Sequence, residues 1–500
     1  MDEPALALGS RQRALAELDE RRFDLLVVGG GIVGAGVAAA ASAHGLALAL
    51  VDRGDFGGGT SSASSKLIHG GLRYLRLGDV GLVREAHQER RALMRVVAPH
   101  LVHRLPFLLP LYDVGPYRPW FVQSGILLYS TLARARLNGL VDVERAKRMV
   151  PEIRTAGLRS CAFYADASTN DARLTLANVR AAASAGATVL NYAEVVALRG
   201  REGAEVVADG HSVSVRARAV VNAGGPWVDH VRRLEDPDAG RSIRLSKGVH
   251  AVVDLSEPWP VALTIPHDKV RVTFAVPWHG MLVLGTTDTL YEGEPDEAVC
   301  EEADVEQVLT EASVALDPEV VRRERVRTVF AGLRVLPGGD GETANARRET
   351  VYSRGPAGML SVAGGKLTTY RRIALDVLGL LRADLGLHRL DRRPRPLPGA
   401  EGLERVSLPG DLPAATRSHL LNLYGSLTPE VLEPAADDPS LLEPLRPDGL
   451  DIAAQVLYAR KREWAVSADD VLRRRTTVWV RGESPEARRK TDELLGAPVV

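Results

Sequence analysis

A glycine-rich turn between two apolar runs is the feature that most constrains the fold of this chain. Residues 23–28 (FDLLVV) form a short β-rich run, and GGGIVG at 29–34 follows it and leads into an alanine-rich stretch typical of a helix. A second apolar run, LALALVD, occupies residues 46–52. Strand, tight turn, helix and strand in this order predict a βαβ unit, and therefore a parallel sheet.

The spacing of the glycines in this turn, G-x-G-x-x-G, predicts a dinucleotide site. Gly29 allows the tight turn, Gly31 lets the backbone approach a pyrophosphate, and Gly34 lets the helix pack closely on the strand. The helix N-terminus presents free N–H groups to phosphates. Asp52 ends the second strand, where a ribose hydroxyl requires an acceptor. The structural alternatives are an ordinary glycine-rich turn and an Asp52 that only caps the next segment.

Length, charge and cysteine count limit the classes of protein that fit. A chain of 500 residues predicts two or three domains. Its net charge of −1 gives no electrostatic surface for nucleic acid, which we therefore do not expect as a partner. The two cysteines, Cys161 and Cys300, cannot form a disulfide framework. We expect two buried, inert thiols and a reducing, cytoplasmic location.

The sequence also bears on membrane attachment. No apolar run reaches the roughly 18–20 residues that a spanning helix needs. The first residues lack a basic region followed by an apolar core, so we expect no secretory signal. Residues 117–133 mix aromatic and apolar side chains and are flanked by arginines. This segment either dips into a lipid surface or is a helix that covers the substrate domain, and both interpretations stay open.

The rest of the chain divides into predicted elements and one linker. Residues 104–119 predict loops and edge strands because they are rich in proline. The other predictions are a helix at 171–185 with Asp171 as a possible cap, strands at 188–198, 217–227 and 359–365, an antiparallel sheet at 243–290, an amphipathic helix at 368–386, a Pro/Gly linker at 392–402 and mostly helical structure from 403 to 500.

Three further glycine-rich stretches favour FAD over NAD. They are SSASSKLIHGG at 61–71, NAGGPW at 222–227 and AGGKLTTY at 363–370. Several close backbone approaches fit a long ligand such as FAD, with its isoalloxazine ring deep inside the protein. The third stretch, a strand followed by two glycines and a helix start, would aim N–H groups at the negative charge of a reduced flavin.

These stretches, taken together, resemble the FAD-dependent glycerol-3-phosphate dehydrogenases, within the wider D-amino-acid-oxidase-like flavoproteins. The matching segments are VVGGGIVGAG, TSSASSKLIHGGLRYL, DARL, NAGGPWVD, KGVH, GTTDT, AGLRVL and GGKLTTYR, and VLYARKREWAVSADDVLRRRT at 456–476 resembles the family's terminal helical domain. One departure is Val335, because family members usually have proline directly after the arginine at 334.

The resemblance implies an α/β and α+β architecture with three parts. A Rossmann-like FAD-binding domain, discontinuous over residues 20–95, 160–240 and 325–390, is interleaved with an antiparallel-sheet substrate domain at 96–159 and 241–324. A C-terminal helical domain covers 403–500.

The same resemblance implies a set of FAD contacts along the glycine-rich stretches, and no metal ligands. The expected contacts are Gly29, Gly31, Gly34, Asp52, Thr60, Ser61, Ser62, Ser64, Ser65, Lys66, His69, Gly70, Gly71, Ala223, Gly224, Gly225, Gly365, Lys366, Leu367, Thr368 and Thr369. We expect the serines to wrap the flavin ring and donate hydrogen bonds, and Thr368 and Thr369 to cap the helix and contact the flavin edge.

Oxidation of glycerol 3-phosphate needs a phosphate clamp and a general base. Arg73 and Arg334 are the clamp candidates because a guanidinium fork matches two phosphate oxygens. Lys366 would contact phosphate or flavin, and Tyr74 would add a hydroxyl or a pocket wall.

The base is expected to be a histidine, which titrates near working pH. His250 in KGVH is the first candidate and His69 is the competitor. The alternative for His250 is an ordinary hydrogen-bonded core histidine.

The sequence therefore predicts oxidation of sn-glycerol 3-phosphate to dihydroxyacetone phosphate by hydride transfer to FAD. Members of the family commonly pass the electrons to a membrane quinone, which implies a peripheral position on the inner face of the cell membrane. Three readings stay open: an oxidase that uses O2, a related FAD-dependent amine or amino-acid oxidase, and a flavin-binding sensor. A homodimer is also left open.

Overall fold

The computed structural model describes most of the chain. It covers residues 8–71, 79–115, 139–199, 203–268, 271–338, 350–410 and 412–496, together with 122, 125, 129 and 131. Arg73, Tyr74 and most of the predicted segment 117–133 lie outside the described residues.

The strands of the described residues follow in chain order. They are β1 (Arg22–Val28), β2 (Leu48–Val51), β3 (Leu67–Ile68), β4 (Val102–Tyr112), β5 (Gly139–Val141), β6 (Leu158–Thr169), β7 (Thr188–Leu190), β8 (Ala193–Leu198), β9 (Ala204–Ala208), β10 (His211–Asn222), β11 (Ile243–Asp254), β12 (Ala262–Pro266), β13 (Val272–Trp278), β14 (Met281–Gly285), β15 (Thr289–Tyr291), β16 (Val326–Pro337), β17 (Thr350–Arg354) and β18 (Leu360–Gly364).

The α-helices of the described residues are numbered in the same way. They are α1 (Leu8–Glu20), α2 (Ile32–Ala43), α3 (Val80–Ala92), α4 (Val143–Met149), α5 (Asp171–Ser184), α6 (Val228–Arg233), α7 (Glu302–Ala312), α8 (Tyr370–Leu380), α9 (Ala414–Tyr424), α10 (Thr428–Leu432), α11 (Ala454–Arg462), α12 (Ala468–Asp470) and α13 (Pro485–Gly496).

The first sheet contains the predicted βαβ unit. Its order is β17-β18-β10-β1-β2-β7, parallel from β18 to β7, with β17 antiparallel at one edge and the β8–β9 hairpin joined to β10. The apolar run of β1 is buried on both faces, as a parallel sheet requires. Leu25 and Val27 pack in the core formed with α2, α5 and α8, whereas Leu26 and Val28 pack in the core formed with α1 and β8–β9.

The second sheet contains the predicted antiparallel region and extends well beyond it. Its order is β15-β11-β14-β13-β12-β4-β6-β3, with β16 paired to β11 and β5 paired to β6. Its β6 and β16 come from segments assigned above to the FAD-binding domain, at 160–240 and 325–390. The domain boundaries stay a prediction, but these two strands belong to the second sheet because their hydrogen-bond partners do.

The prediction of loops and edge strands at 104–119 was wrong for its first half. β4 is an interior strand of 11 residues that pairs with β6 on one side and β12 on the other. Pro106 and Pro110 are four residues apart, so their missing N–H groups lie on the same edge of the strand. The other edge keeps its donors, and burial of the leucines between the prolines stabilises the strand.

Three other predicted elements differ in their limits or in one residue. The strand at 188–198 is interrupted at Tyr192, whose φ of 51° is left-handed, and becomes β7 and β8. The helix predicted at 368–386 ends at Leu380 and continues as turns. Asp171 does not cap α5, because Asn170 is the N-cap and its Oδ1 accepts a hydrogen bond from Arg173 N at 3.1 Å.

The C-terminal residues are mostly helical, as predicted, and form their own apolar core from α9 to α13. Buried ion pairs join this region to the first sheet. Asp55, in the loop after β2, pairs with Arg474 and Arg475, and the distance from Arg475 Nη2 to Asp55 Oδ1 is 2.8 Å. Glu463 accepts from Arg173 of α5 at 2.6 Å. None of the helices in the described ranges is long and apolar enough to cross a membrane.

We expect the Asp55–Arg475 pair to set the stability of the contact between the C-terminal helices and the first sheet. Arg475 is 0% exposed, so Arg475→Met removes the bidentate partner of a buried carboxylate and leaves Arg474 as its remaining cation. Leaving a buried charge wholly unpaired costs about 3–5 kcal/mol, and we expect a smaller cost here because Arg474 stays. The expected result is a clearly lower thermal unfolding midpoint and faster proteolysis between the two regions. Arg473→Met is the control, since Arg473 forms an exposed pair with Asp469; equal midpoints for both variants would contradict the expectation.

Candidate active site

A cavity of about 610 Å³ lies where the two sheets meet. Its lining includes Ala193 and Glu194 of the first sheet and Leu234, together with His250 and Arg334 of the second sheet. Its volume is within the range of small-molecule and cofactor sites. All of the glycine-rich stretches identified in the sequence reach its wall.

The turn between β1 and α2 is built by backbone packing. Gly29 has φ +105°, and a Cβ there would lie 2.6 Å from the carbonyl oxygen of Ala223. A Cβ on Gly34 would overlap the carbonyl oxygen of Gly29. Gly29 and Gly31 line the cavity, whereas Gly34 lies behind the wall and holds α2 against the turn. The N-terminus of α2 therefore faces the cavity, where its backbone N–H groups favour an anion.

Asp52 lines the cavity next to this turn. Its Oδ2 accepts from Gly30 N at 2.6 Å and its Oδ1 from Gly54 N at 2.8 Å. Burial raises the pKa of this carboxyl to about 6. Each oxygen keeps a second lone pair, so Asp52 can still accept a hydrogen bond from a ribose hydroxyl at neutral pH.

The serine-rich loop, residues 60–66, lines the cavity, and most of its hydroxyl groups form hydrogen bonds with other residues of the chain. Thr60 Oγ1 donates to Leu333 O at 2.6 Å, and Ser61 Oγ accepts from Ile32 N at 2.8 Å. Ser64 Oγ donates to Asp171 at 2.6 Å, and Ser65 Oγ lies 2.9 Å from Nε2 of His250. These four residues line the cavity, so their hydroxyls fix the loop that would wrap a ring.

Several other expected cofactor contacts support the wall from behind. Lys66 is buried in an ion pair with Asp171, and Gly70 N donates to Asp166 Oδ1 at 3.0 Å. The residues of the predicted set that do not line the cavity are Gly34, Ser62, Lys66, Gly70, Gly71 and Thr369.

His69 and the turn before α8 form the next part of the wall. Thr368 does not cap the helix as predicted, because its hydroxyl bridges the backbone N and O of His69, both at 3.2 Å. Thr369 occupies the N-cap position but its side chain makes no capping bond. Gly365, Lys366 and Leu367 line the cavity beside them.

The turn after β10 completes this side. Ala223, Gly224 and Gly225 all line the cavity, and Gly224 N donates to Asn222 Oδ1 at 3.0 Å.

The second sheet presents His250 and Arg334 on one face that lacks side chains between them. Gly248 lies opposite Gly332 in the β11–β16 ladder, and His250 lies opposite Phe330. By the alternation of a strand, these four positions are on the same face of the sheet as Arg334. A Cβ on Gly248 would lie 2.7 Å from Cζ of Arg334, so only glycine lets this guanidinium cross the strand.

Arg334 is held in a fixed orientation by the loop after β14. Its Nη1 donates to Thr287 O at 3.0 Å and its Nη2 to Thr286 Oγ1 at 2.7 Å, and Asp288 lies 3.5 Å away. Val335, in place of the family's proline, continues β16 and pairs with Leu245.

His250 is almost fully buried and stays uncharged at neutral pH. It is 3% exposed, and its ring stacks on Phe330 with a centroid distance of 4.6 Å. Burial lowers its pKa well below the ordinary value of 6.5, and the positive charges of Arg334 and Lys66 add to this effect. A buried imidazole that is neutral and bonded to a serine hydroxyl is able to accept a proton.

Some residues of this site were missed in the sequence. Asp171 was identified only as a possible helix cap, and its role as the partner of Ser64 and Lys66 had no local signal. Phe330 and the threonines around Arg334 were also missed. The DARL and GTTDT segments that contain Asp171 and Thr286 did match the family, which was the available signal.

The cavity wall fits FAD. It combines an anion-binding helix start, an acceptor for ribose and a second glycine turn at Gly364 and Gly365, both with positive φ, beside the start of α8. These features line the same cavity as His250 and Arg334.

Comparison with known proteins agrees with this geometry. The model of the family described as FAD dependent oxidoreductase matches residues 24–371, and that described as C-terminal domain of alpha-glycerophosphate oxidase matches 392–491. Glycerol-3-phosphate dehydrogenase 2 of Mycobacterium tuberculosis is 37% identical over 95% of this chain and 84% of its own length. Glycerol-3-phosphate dehydrogenase of Synechocystis is 33% identical over 93% of this chain and 90% of its own.

A solved structure extends the match to three dimensions. The glycerol-3-phosphate dehydrogenase from Bacillus halodurans, complexed with FAD, has a TM-score of 0.75 and 27% identity over 97% of this chain and 96% of that chain. The chain therefore belongs to the FAD-dependent glycerol-3-phosphate dehydrogenase family.

Proposed function

We propose that this protein binds FAD in the cavity and oxidises sn-glycerol 3-phosphate to dihydroxyacetone phosphate. The observation that carries the proposal is a neutral, buried His250 beside a fixed guanidinium, Arg334, on one glycine-lined face of the cavity. When bound, FAD supplies the acceptor for the hydride that leaves C2 of the substrate. The side chains of this protein bind the phosphate, take the proton of the C2 hydroxyl and exclude water.

Arg334 is the phosphate ligand in this proposal. Because Thr286 and Thr287 already fix its orientation, little side-chain freedom is lost when the phosphate binds. Lys366 lines the same cavity and adds a second positive charge. Arg73 and Tyr74 stay predictions from the sequence, since they lie outside the described residues.

His250 is the base in this proposal. Its lowered pKa keeps the imidazole neutral at physiological pH, and Ser65 orients the ring through Nε2. His69 also lines the cavity and is the second candidate. The two are distinguished by the pH profile described below.

The proposed FAD contacts follow the cavity wall. The pyrophosphate would lie at the start of α2 beside Gly29 and Gly31, and the ribose beside Asp52. The flavin end would lie between the serine-rich loop and the turn at Gly365–Thr368, next to His250.

We also propose a quinone as the electron acceptor, reached from the inner face of the cell membrane by a cytoplasmic, peripherally bound enzyme. The relatives above support an acceptor other than O2, because they are named dehydrogenases rather than oxidases. Transfer to O2 is the alternative for the acceptor, and an amine or amino-acid substrate is the alternative for the reductive step. A homodimer remains a prediction.

The first experiment is an anaerobic visible spectrum of the purified protein before and after addition of glycerol 3-phosphate. We expect the oxidised flavin band to bleach with this substrate and not with glycerol or an amino acid. Oxygen and a soluble quinone analogue are then added to separate samples of the reduced protein. The compound that restores the oxidised flavin band faster is the preferred acceptor. A band that persists with glycerol 3-phosphate would refute the substrate, and a protein that binds no flavin would refute the whole proposal.

Removing the guanidinium should weaken substrate binding selectively. Arg334→Met eliminates charge-assisted hydrogen bonds worth about 1.5–3 kcal/mol, so KM for glycerol 3-phosphate should rise about tenfold to a hundredfold. Flavin content should not change. The control is Arg327→Met on the same strand, since Arg327 forms an exposed pair with Asp254. An unchanged KM in the Arg334 variant would exclude it as the phosphate ligand.

The rate of flavin reduction should respond to pH in a defined direction. A base must be neutral, and the pKa of His250 lies well below 6.5. At saturating substrate, the rate of flavin reduction should therefore stay constant from alkaline pH down to about 6.5 and fall only at lower pH. His250→Asn should remove this acidic limb and lower the rate of flavin reduction by about 10²- to 10⁴-fold. A limb that survives in this variant would assign the base to His69 instead.

A further inference from the structure

Lys66 has a position that substrate binding does not explain. Its side chain is 1% exposed and lies behind the cavity wall, although the residue belongs to the serine-rich loop. It also has φ +61°, a left-handed conformation that is unfavourable for a residue with a Cβ. A buried cation in an unfavourable backbone conformation requires compensating contacts nearby.

Those contacts close the loop on itself and on α5. Nζ of Lys66 donates to Ser62 O at 2.6 Å and to Asp171 Oδ1 at 2.8 Å. The other oxygen of Asp171 accepts from Ser64 N at 3.1 Å and from Ser64 Oγ at 2.6 Å. The ammonium and the carboxylate together therefore fix the residues on both sides of the 62–66 turn.

The remaining surroundings of the ammonium are aromatic. Nζ lies 5.2 Å from the ring centroids of Trp278 and Phe330, and 5.3 Å from that of Trp479. These are distances at which a ring face attracts a cation. Trp479 belongs to the C-terminal region, and its ring meets Phe330 edge-on at 5.3 Å. Aromatic residues of the second sheet and of the C-terminal region therefore surround the Lys66 ammonium of the serine-rich loop.

The turn that this charge stabilises leads directly to the proposed base. Ser65, between Ser64 and Lys66, places its Oγ 2.9 Å from Nε2 of His250. Phe330 contacts both residues, since it stacks on the His250 ring and lies against the Lys66 ammonium. We propose that Lys66 is a positioning residue for His250, which keeps Ser65 aimed at the imidazole and adds a fixed positive charge beside it.

The charged groups around His250 determine what a test should show. Arg334 approaches from β16 and is balanced by Asp288, and Lys66 approaches from the loop and is balanced by Asp171 of α5. Across β14 the residue opposite His250 is Gly285, which carries no charge. A positive charge disfavours the protonated imidazole, so removal of Lys66 must raise the pKa of His250.

The experiment compares Lys66→Met with Lys66→Arg in the flavin-loaded, full-length protein. The inference rests on the proposed function, so wild type must first be reduced by glycerol 3-phosphate. The acidic limb of the rate of flavin reduction should then move up by about one pH unit in Lys66→Met. It should stay in place in Lys66→Arg and in the control Lys147→Met, whose side chain is exposed on α4.

The same shift is measurable without turnover. Selective ¹⁵N-labelling of histidine follows the titration of the His250 ring, whose signal is identified by its loss in His250→Asn. Its pKa should rise by about one unit in Lys66→Met. A purely structural role for Lys66 would lower the rate or the flavin content without moving either titration, and this result would overturn the inference.

A second variant keeps the test decisive if Lys66→Met does not fold or does not retain flavin. Ser65→Ala removes only the hydroxyl that contacts His250, and it should lower the rate of flavin reduction about tenfold at every pH. A wild-type rate in Ser65→Ala would overturn the inference. A wild type that glycerol 3-phosphate does not reduce would instead refute the proposed function, so the two failures are distinguishable.

Discussion

The structure depends on a contact between backbones at the turn that joins β1 to α2. The first turn of α2 is so close to Gly29, and Gly29 so close to Ala223 at the end of β10, that side chains at 29 and 34 cannot be accommodated. This contact places the N-terminus of α2 and the carboxyl ends of two parallel strands around one space. In a parallel sheet, that is where ligands bind. The cavity wall formed by Asp52 and Ala223–Gly225 follows from the same geometry.

In the second sheet, glycines likewise leave space for the side chains of the candidate active site. Gly248, Gly285 and Gly332 surround His250 and Arg334, and each leaves room that a Cβ would occupy. A Cβ on Gly332 would lie 2.6 Å from the carbonyl oxygen of Ala63, so the same glycine also lets the serine-rich loop rest on the sheet. Both sheets can therefore share one cavity, which is lined by the glycine turn before α2 on the first sheet and by His250 and Arg334 on the second.

Buried charges connect this cavity to the rest of the molecule. Lys66 and Asp171 hold the serine-rich loop, whereas Asp55, Arg474 and Arg475 hold the loop after β2 to the C-terminal helices. Pairs of this kind add little net stability when intact but cost several kcal/mol when one partner is lost. These pairs hold the two loops in place. The C-terminal region contributes Trp479 beside Lys66 and two arginines beside Asp55. This region is therefore part of the framework of the site.

The sequence by itself determined the elements whose signal is local. The βαβ unit, the glycine turn, the helical C-terminal region and the family motifs were all identified from short-range spacing, because turns and helices are specified by neighbouring residues. The tertiary structure alone decided that β4 is an interior strand, that Asp171 binds Lys66 instead of capping α5, and that Thr368 bonds to His69. It also decided that Phe330 and Trp479 enclose Lys66. These contacts join residues that are far apart in the chain, and no local pattern encodes which buried partners will satisfy a charge or a hydroxyl.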